Sequence, residues 1–325
     1  MKPHGIPSNG IAHPLPKSIV SAADGTSVDP FVVKTLFAAT VLSLFAAMPA
    51  EAAVNDVFPA DYAGLLVPGT WNFTSYAYDR SLQGPYRAGQ PAADVKVRSR
   101  IGALRLSRAF DVAGTTVAPL VVVSGADVDS NRRLAPFPYS RGSGFGDLRF
   151  GGTVWLLNDR ANRRGIGLSG LAAAPTGTYD SRSALNAGEN RWRWVATAGW
   201  VEGIGERLTV DLFPELAWYG RNDAYAGNNR LSQDMTWAVT GYLRWRAEDR
   251  LQLFVGGQLN GGGATRINGV DQNNPAESSR LYIGGMYNLT PSTAVNVRFG
   301  RDLAVENGLK MRHDLALRLV VLFGP

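Results

Sequence analysis

The chain has 325 residues, no cysteine and a formal net charge of +6, from 33 basic and 27 acidic side chains. The lack of cysteine excludes disulfides, thiolate metal sites and cysteine nucleophiles. The basic excess is modest and spread along the chain, whereas a nucleic-acid-binding protein concentrates its positive charge in one stripe or helix. The composition therefore argues against a nucleic-acid partner.

The N-terminal end has the features of an export signal. Lys34 precedes an apolar run over about residues 35–48, and Ala50-Glu51-Ala52 forms an A-x-A cleavage pattern. The run is too short for a spanning helix, which needs roughly 20 apolar residues. We therefore predict cleavage after Ala52, exclude residues 1–52 from the fold, and expect residues 53–67 to form a short periplasmic segment.

From residue 68 onwards, the chain consists of short segments in which apolar and polar residues alternate. In one of them Leu243 and Trp245 share a parity, and Arg244 and Arg246 take the other. Successive strand residues point to opposite faces, so each segment has one apolar and one polar face. Arginines along the polar face fit a wet interior better than a packed core, which is typical of a transmembrane β-barrel.

The pattern predicts an all-β fold, a transmembrane antiparallel β-barrel of about 12 strands over residues 68–325. The segments are near the length of roughly 9–11 residues expected for tilted membrane strands. The predicted strands are 69–79, 94–109, 115–124, 145–157, 164–174, 191–201, 207–219, 232–246, 251–261, 279–288, 293–302 and 311–323.

The predicted connections alternate between short turns and long polar loops. Outer-membrane barrels have short periplasmic turns and long extracellular loops, whereas a soluble β-sandwich has no reason to sort its loops by length. The long loops are predicted at 80–93, 125–144, 175–190, 220–231, 262–278 and 303–310.

Aromatic residues concentrate near the predicted strand ends, which favours two girdles at the membrane interfaces. The alternative is that the tryptophans fill the core of a soluble sandwich. We expect the outer girdle to contain Trp192, Trp194, Trp218, Tyr78 and Tyr219, and the periplasmic girdle to contain Trp71, Trp200, Trp245, Tyr287 and Phe323.

One face of the second predicted strand is charged near its start and apolar near its end. Lys96, Arg98 and Arg100 share a parity with Leu104. A one-residue shift moves side chains to the other face of a strand, so we expect a β-bulge near Gly102.

Candidate chemical sites are few. His313 lies on the parity of the apolar residues of the last strand, and Asp314 points to the other face, so it cannot orient the histidine for catalysis. Residues 142–146 are glycine-rich but lack the spacing of a phosphate loop, and residues 127–131 lack the glycine and final glutamate of a calcium loop. We therefore expect no enzyme activity, no cofactor and no metal site.

The polar faces supply the candidate functional residues. Rings of charge can set the selectivity of a pore, and they can equally form a paired network that fills a closed barrel. Barrels of roughly eight strands fill with side chains and those of about 16 leave an aqueous channel, so about 12 strands allow either state. The predicted lumen-lining residues are Arg149, Arg191, Arg193, Asp211, Glu215, Asp234, Arg244, Arg246, Arg280, Arg298 and Arg318.

Two segments carry a family resemblance. Pro68-Gly69-Thr70-Trp71, together with Gly144-Phe145-Gly146-Asp147-Leu148 leading into Gly151-Gly152-Thr153-Val154-Trp155, resembles the meta-pathway phenol-degradation (transporter) family of bacterial outer-membrane proteins. The resemblance spans residues 54–325. It implies an outer-membrane barrel that takes up aromatic or other hydrophobic compounds, and it assigns no substrate-binding residue.

We therefore expect an outer-membrane channel or transporter for small aromatic or hydrophobic solutes. Its expected partners are membrane lipid, the solute and the barrel-assembly machinery. The alternative is a plugged barrel with a structural or surface-binding role through its long loops, and a lipid-modifying barrel enzyme is a more distant third.

Overall fold

The computed structural model describes residues 56–63, 66–134 and 137–324. The predicted export signal and its cleavage site lie outside the described residues. Within the described residues, no helix is long and apolar enough to cross a membrane. The described strands are β1 (Trp71–Arg87), β2 (Gln90–Arg108), β3 (Phe110–Val112), β4 (Thr115–Ser130), β5 (Arg141–Phe145), β6 (Leu148–Asp159), β7 (Arg164–Ala174), β8 (Arg193–Ile204), β9 (Leu208–Tyr219), β10 (Asn222–Tyr225), β11 (Asn229–Gln233), β12 (Thr236–Arg246), β13 (Leu251–Gly262), β14 (Thr265–Ile267), β15 (Val270–Asp271), β16 (Ala276–Thr290), β17 (Thr293–Val305) and β18 (Gly308–Phe323).

Twelve of these strands form a closed antiparallel barrel, which confirms the predicted fold. The first barrel strand pairs with both its sequence neighbour and the last strand, as Trp71 lies opposite Arg108 on β2 and opposite Phe323 on β18. The barrel order is β1, β2, β4, β6, β7, β8, β9, β12, β13, β16, β17 and β18. Closure leaves no unpaired sheet edge facing lipid.

The remaining short strands lie outside the ring of twelve. Strands β3 and β5 pair with β4, and strands β10, β11, β14 and β15 form a separate sheet within two of the long connections. These connections lie at one end of the barrel, which we call the long-loop end. The opposite end, the short-turn end, carries tight turns such as Ala113-Gly114, where φ angles of 51° and 82° suit a two-residue hairpin.

Two of the predicted long loops are wrong. Residues 80–93 belong mostly to β1 and β2, which meet at the two-residue turn Ala88-Gly89, and residues 303–310 belong mostly to β17 and β18. These hairpins carry polar residues on their outward faces, because they extend past the apolar band of the barrel. Because the outward faces of these hairpin ends carry polar residues, their sequence resembles that of a loop, although the backbone is still paired as strands.

The predicted bulge near Gly102 is also wrong. The pairing of β2 with β4 runs without a shift from Val97 to Ser107. Lys96, Arg98 and Arg100 therefore lie on the same outward face as the leucines of β2, but nearer the long-loop end. Their charge is accommodated because this part of the strand lies outside the apolar band, where the guanidinium of Arg98 is 2.7 Å from Asp79.

The outward faces carry most of the predicted girdle residues. Trp192, Trp194, Trp218, Trp200, Trp245, Tyr287 and Phe323 are all exposed on the barrel surface. The prediction is wrong for Tyr78 and Tyr219, which do not belong to the outer girdle. Tyr78 is buried in the barrel interior, and the ring of Tyr219 lies under the guanidinium of Arg191.

Candidate functional site in the barrel interior

The N-terminal segment, residues 56–63, lies inside the barrel and not in the periplasm as the sequence indicated. Its carboxylates meet buried arginines of the wall. Asp56 contacts Arg298, with 2.9 Å between Oδ2 and Nη2, and it also forms an ion pair with Arg80. Both arginines also contact Asp314, at 2.7 and 2.9 Å. The segment therefore completes a charge network that the wall alone leaves unbalanced.

The middle of the segment is fixed by an aromatic ring between two cations. Phe58 has no exposed surface. The guanidinium groups of Arg298 and Arg318 lie 4.4 and 4.6 Å from its ring centroid. Asp61 forms an ion pair with Arg318 and accepts a hydrogen bond of 2.8 Å from the backbone N–H of Phe58, which closes a turn in the segment. A cation–π contact that is shielded from water contributes about 2 kcal/mol.

The end of the segment packs against wall positions that have no side chain. The hydroxyl of Tyr62 donates a hydrogen bond of 2.6 Å to Ser169. A Cβ at Gly199 would lie 2.1 Å from the Tyr62 ring, and one at Gly167 would lie 2.7 Å from it. These glycines on β7 and β8 therefore form the recess that receives the ring.

Most of the predicted lumen-lining residues have side chains inside the barrel. Arg149, Arg193, Asp211, Arg298 and Arg318 are buried, and Glu215 and Arg280 are half-buried on inward-facing positions. Arg191 is buried among the loops at the barrel mouth. The inward placement follows from the strand parity, because alternate residues of a barrel strand face the lumen.

Most of these arginines are paired with carboxylates and do not form open rings of positive charge. Arg244 meets both oxygens of Asp211 at 2.6 and 2.9 Å. Arg280 lies 2.6 Å from Asp302. Arg193 lies 3.1 Å from Glu189, a loop residue. Ion pairing therefore cancels much of the interior charge on which pore selectivity would depend.

Two predicted lumen residues lie outside the interior. Asp234 is exposed in the connection before β12 and binds both terminal nitrogens of Arg266, at 2.6 and 3.0 Å. Arg246 is exposed at the short-turn end, where its guanidinium donates to the carbonyl of Glu206. Both residues have the inward parity in sequence, but they lie at strand ends, beyond the enclosed part of the barrel.

The glycine-rich motif ahead of β6 holds a long loop in place. The carboxylate of Asp147 accepts hydrogen bonds of 2.8 Å from the backbone N–H groups of Gly177 and Glu189. A Cβ at Gly144 would lie 2.3 Å from the hydroxyl of Thr178, so the loop approaches the motif closely. The same loop carries Leu185, which is 1% exposed within the barrel mouth. The motif thus folds this loop inward over the lumen.

A cavity of about 280 Å³, which we call the upper chamber, lies between this loop and the N-terminal segment. Its walls differ in chemistry. The polar wall carries hydrogen-bonding groups of β12, β13 and β16, such as Gln258, which donates a hydrogen bond of 2.9 Å to Thr240, and charged side chains such as Arg280 and Glu215 also line the chamber. The apolar wall is formed by Leu82, Val97, Val128, Leu185, Val305, Leu309 and Met311.

The sequence alone did not reveal several residues of this interior. Asp56, Asp61 and Tyr62 lie in a segment without strand periodicity, so no parity assigned them a face. Arg80 and Arg105 do have the inward parity of β1 and β2. Arg80 was hidden because it falls in a stretch that resembles a loop. Among the described residues, no group of three or more His, Cys, Asp or Glu is placed to hold a metal ion.

The sequence and the fold of the chain are similar to those of known proteins. Residues 80–312 match the family described as "Putative MetA-pathway of phenol degradation". The crystal structure of an outer membrane channel from Pseudomonas putida F1 has a TM-score of 0.77 at 30% sequence identity, covering 82% of this chain and 100% of that one. The β domain of the Bordetella autotransporter BrkA has a TM-score of 0.49 at 10% identity, covering 79% and 100%. No curated protein sequence matches the chain.

Proposed function

The chain belongs to the family described as "Putative MetA-pathway of phenol degradation" and is a β-barrel channel of the bacterial outer membrane; from this premise we propose that its solutes are small aromatic or hydrophobic molecules. The observation that carries the proposal is the upper chamber, which has one apolar wall and one hydrogen-bonding wall. An amphipathic ring, such as a phenol, would place its ring on the first wall and its hydroxyl on the second.

The size of the upper chamber supports weak, reversible binding of one small solute. A chamber of about 280 Å³ has room for a one- or two-ring molecule with some water. Burying about 60 Å² of ring surface on the apolar wall would contribute about 1.5 kcal/mol. A channel needs binding that is favourable enough for entry and weak enough for release.

The position of the chamber sets the direction of uptake in this proposal. It lies at the long-loop end, where Leu185 and Asn307 line it, and long loops of outer-membrane barrels face the cell exterior. A solute arriving from outside would meet the chamber first and the N-terminal segment second. The segment then separates the chamber from the short-turn end, which would face the periplasm.

Current blockade in planar bilayers tests the solute class. Phenol added on the long-loop side should interrupt the ion current through the purified protein, and arabinose, which lacks an apolar ring face, should not. Val128→Thr keeps the shape of the apolar wall but adds a hydroxyl, so it should shorten the blockades. Val123→Thr, on the outward face of β4, is the matched control. Equal blockade by both solutes would contradict the proposal.

A plugged barrel with a structural role is the second candidate, because the N-terminal segment is bound inside the lumen by buried ion pairs. This candidate predicts no ion current from the parent protein. It predicts current only from a variant in which Asp56 and Asp61 are both replaced by asparagine, because that variant loses the ion pairs that hold the segment. Current from the parent protein would favour the channel.

A further inference from the structure

Three cavities follow one another along the N-terminal segment. The upper chamber shares Asp56 and Glu215 with a middle cavity of about 80 Å³. The middle cavity shares Asp61, Arg105, Leu120 and Thr153 with a lower cavity of about 60 Å³ near the short-turn end. The shared residues make the cavities neighbours, so the free space narrows from the long-loop end downwards. We call the four residues common to the middle and lower cavities the neck.

The cavities lie on one side of the barrel because the inward side chains there are small. On β2, β6, β7 and β8, inward positions beside the cavities include Ala103, Thr153, Ser169 and Thr197. On the other side, Phe213, Tyr242, Phe254 and Tyr282 pack with Tyr62 into one buried cluster. The N-terminal segment is therefore closely packed on its aromatic side, and on its small-residue side it leaves space beside the hydrogen bond from Tyr62 to Ser169.

Arg105 is the cation of the neck, and it is held loosely. Its Nη2 lies 3.8 Å from Asp61 and 3.5 Å from the hydroxyl of Thr74. Asp61 makes its closer ion pair with Arg318. Among the described residues, no hydrogen-bond partner lies against Nε of Arg105. The guanidinium of Arg105 therefore has no carboxylate of the described residues closer than 3.8 Å, unlike Arg244 and Arg298 with their close carboxylates, and it lies 5.6 Å from the ring centroid of Tyr76.

We propose that solutes pass the N-terminal segment on its small-residue side, and that Arg105 selects at the neck for aromatic rings that carry an oxyanion. The guanidinium edge donates hydrogen bonds to a carboxylate or phenolate, and its face lies against an electron-rich ring. Leu120 and Thr153, on the neighbouring strands β4 and β6, line the neck beside Arg105, so the ring passes along these two side chains and the cation. This inference rests on the proposed channel function and gives it a route and a specificity-determining residue.

Reversal potentials in planar bilayers test the role of Arg105. With a sodium benzoate gradient, the parent should favour benzoate over sodium, and it should favour benzoate over cyclohexanecarboxylate, which has the same charge but no π face. In Arg105→Gln both preferences should fall by about twofold or more, as expected for loss of one cation–π or charge contact. Arg221→Gln removes an exposed loop cation and should leave both preferences unchanged.

A second variant keeps the test decisive if Arg105→Gln fails to assemble. Thr153→Asp places a carboxylate at the neck, which Arg105 also lines, and it should lower the benzoate preference while Arg105 is retained. Barrel assembly is checked for each variant by heat-modifiable migration on gels. A conducting parent whose preferences survive Arg105→Gln or Thr153→Asp overturns this route but not the channel. A parent that passes no current overturns the channel function and this route together.

Discussion

The carboxylate of Asp56 and the guanidinium of Arg298 lie 2.9 Å apart inside the barrel, although 242 positions separate them in the chain. The contact joins the N-terminal segment to β17, and Arg298 is fully buried. Breaking a buried ion pair on one side leaves an uncompensated charge, which costs about 3–5 kcal/mol. The segment is thus held by specific wall residues, and changes at these residues should alter both stability and conduction.

Asp56→Asn should loosen the N-terminal segment and raise the mean single-channel conductance. The variant removes the charge that Arg80 and Arg298 share with the segment, while both arginines keep Asp314 as a partner. Asp249→Asn, in an exposed turn at the short-turn end, is the control. Unchanged conductance in Asp56→Asn would show that the segment does not restrict the lumen.

Gly199→Ala should destabilise the packing of Tyr62. The added Cβ would lie 2.1 Å from the Tyr62 ring, and overpacking of this kind costs about 1–3 kcal/mol. Gly170→Ala, on β7, is the matched control, because its Cβ would meet nothing within 4 Å. Urea unfolding in lipid vesicles measures both. Equal midpoints for the two variants would contradict the placement of the segment.

Val255→Arg should impair membrane assembly, because Val255 is exposed near the middle of β13 on the outward face. An arginine on the lipid face near the midplane costs about 2–4 kcal/mol. Asn260→Arg places the same side chain on the inward face of β13, beside the upper chamber, and should assemble. Refolding yield into vesicles compares them. Similar yields would argue that the outward face of β13 does not contact lipid.

Cysteines at Asn228 and Asn273 should react with an impermeant reagent on intact cells, because both positions are exposed at the long-loop end. A cysteine at Asp249, in a turn at the short-turn end, should react only after the outer membrane is broken. The chain has no native cysteine, so each label reports one position. The reverse pattern would invert the orientation on which the direction of uptake depends.

The alternation of apolar and polar residues was sufficient to predict the barrel, its number of strands and the face of most side chains. Parity is a local property of the extended backbone, so it placed Arg298 inside and Leu253 outside without knowledge of their neighbours. It could not show where a strand leaves the enclosed part of the barrel. For that reason parity alone predicts Asp234 and Arg246 in the lumen, and it predicts a loop where β1 and β2 extend past the apolar band.

Only the tertiary structure decided what occupies the interior. Residues 56–63 have no strand period, and their carboxylates pair with arginines more than 200 positions away, such as Arg298 and Arg318. Ion pairs of this kind depend on which strands close the ring and on the depth at which each side chain lies. Likewise, the space beside Arg105 exists because small inward residues from separate strands meet on one side of the barrel. Which inward residues lie next to each other depends on strand pairing across the whole chain, and local sequence periodicity does not determine it.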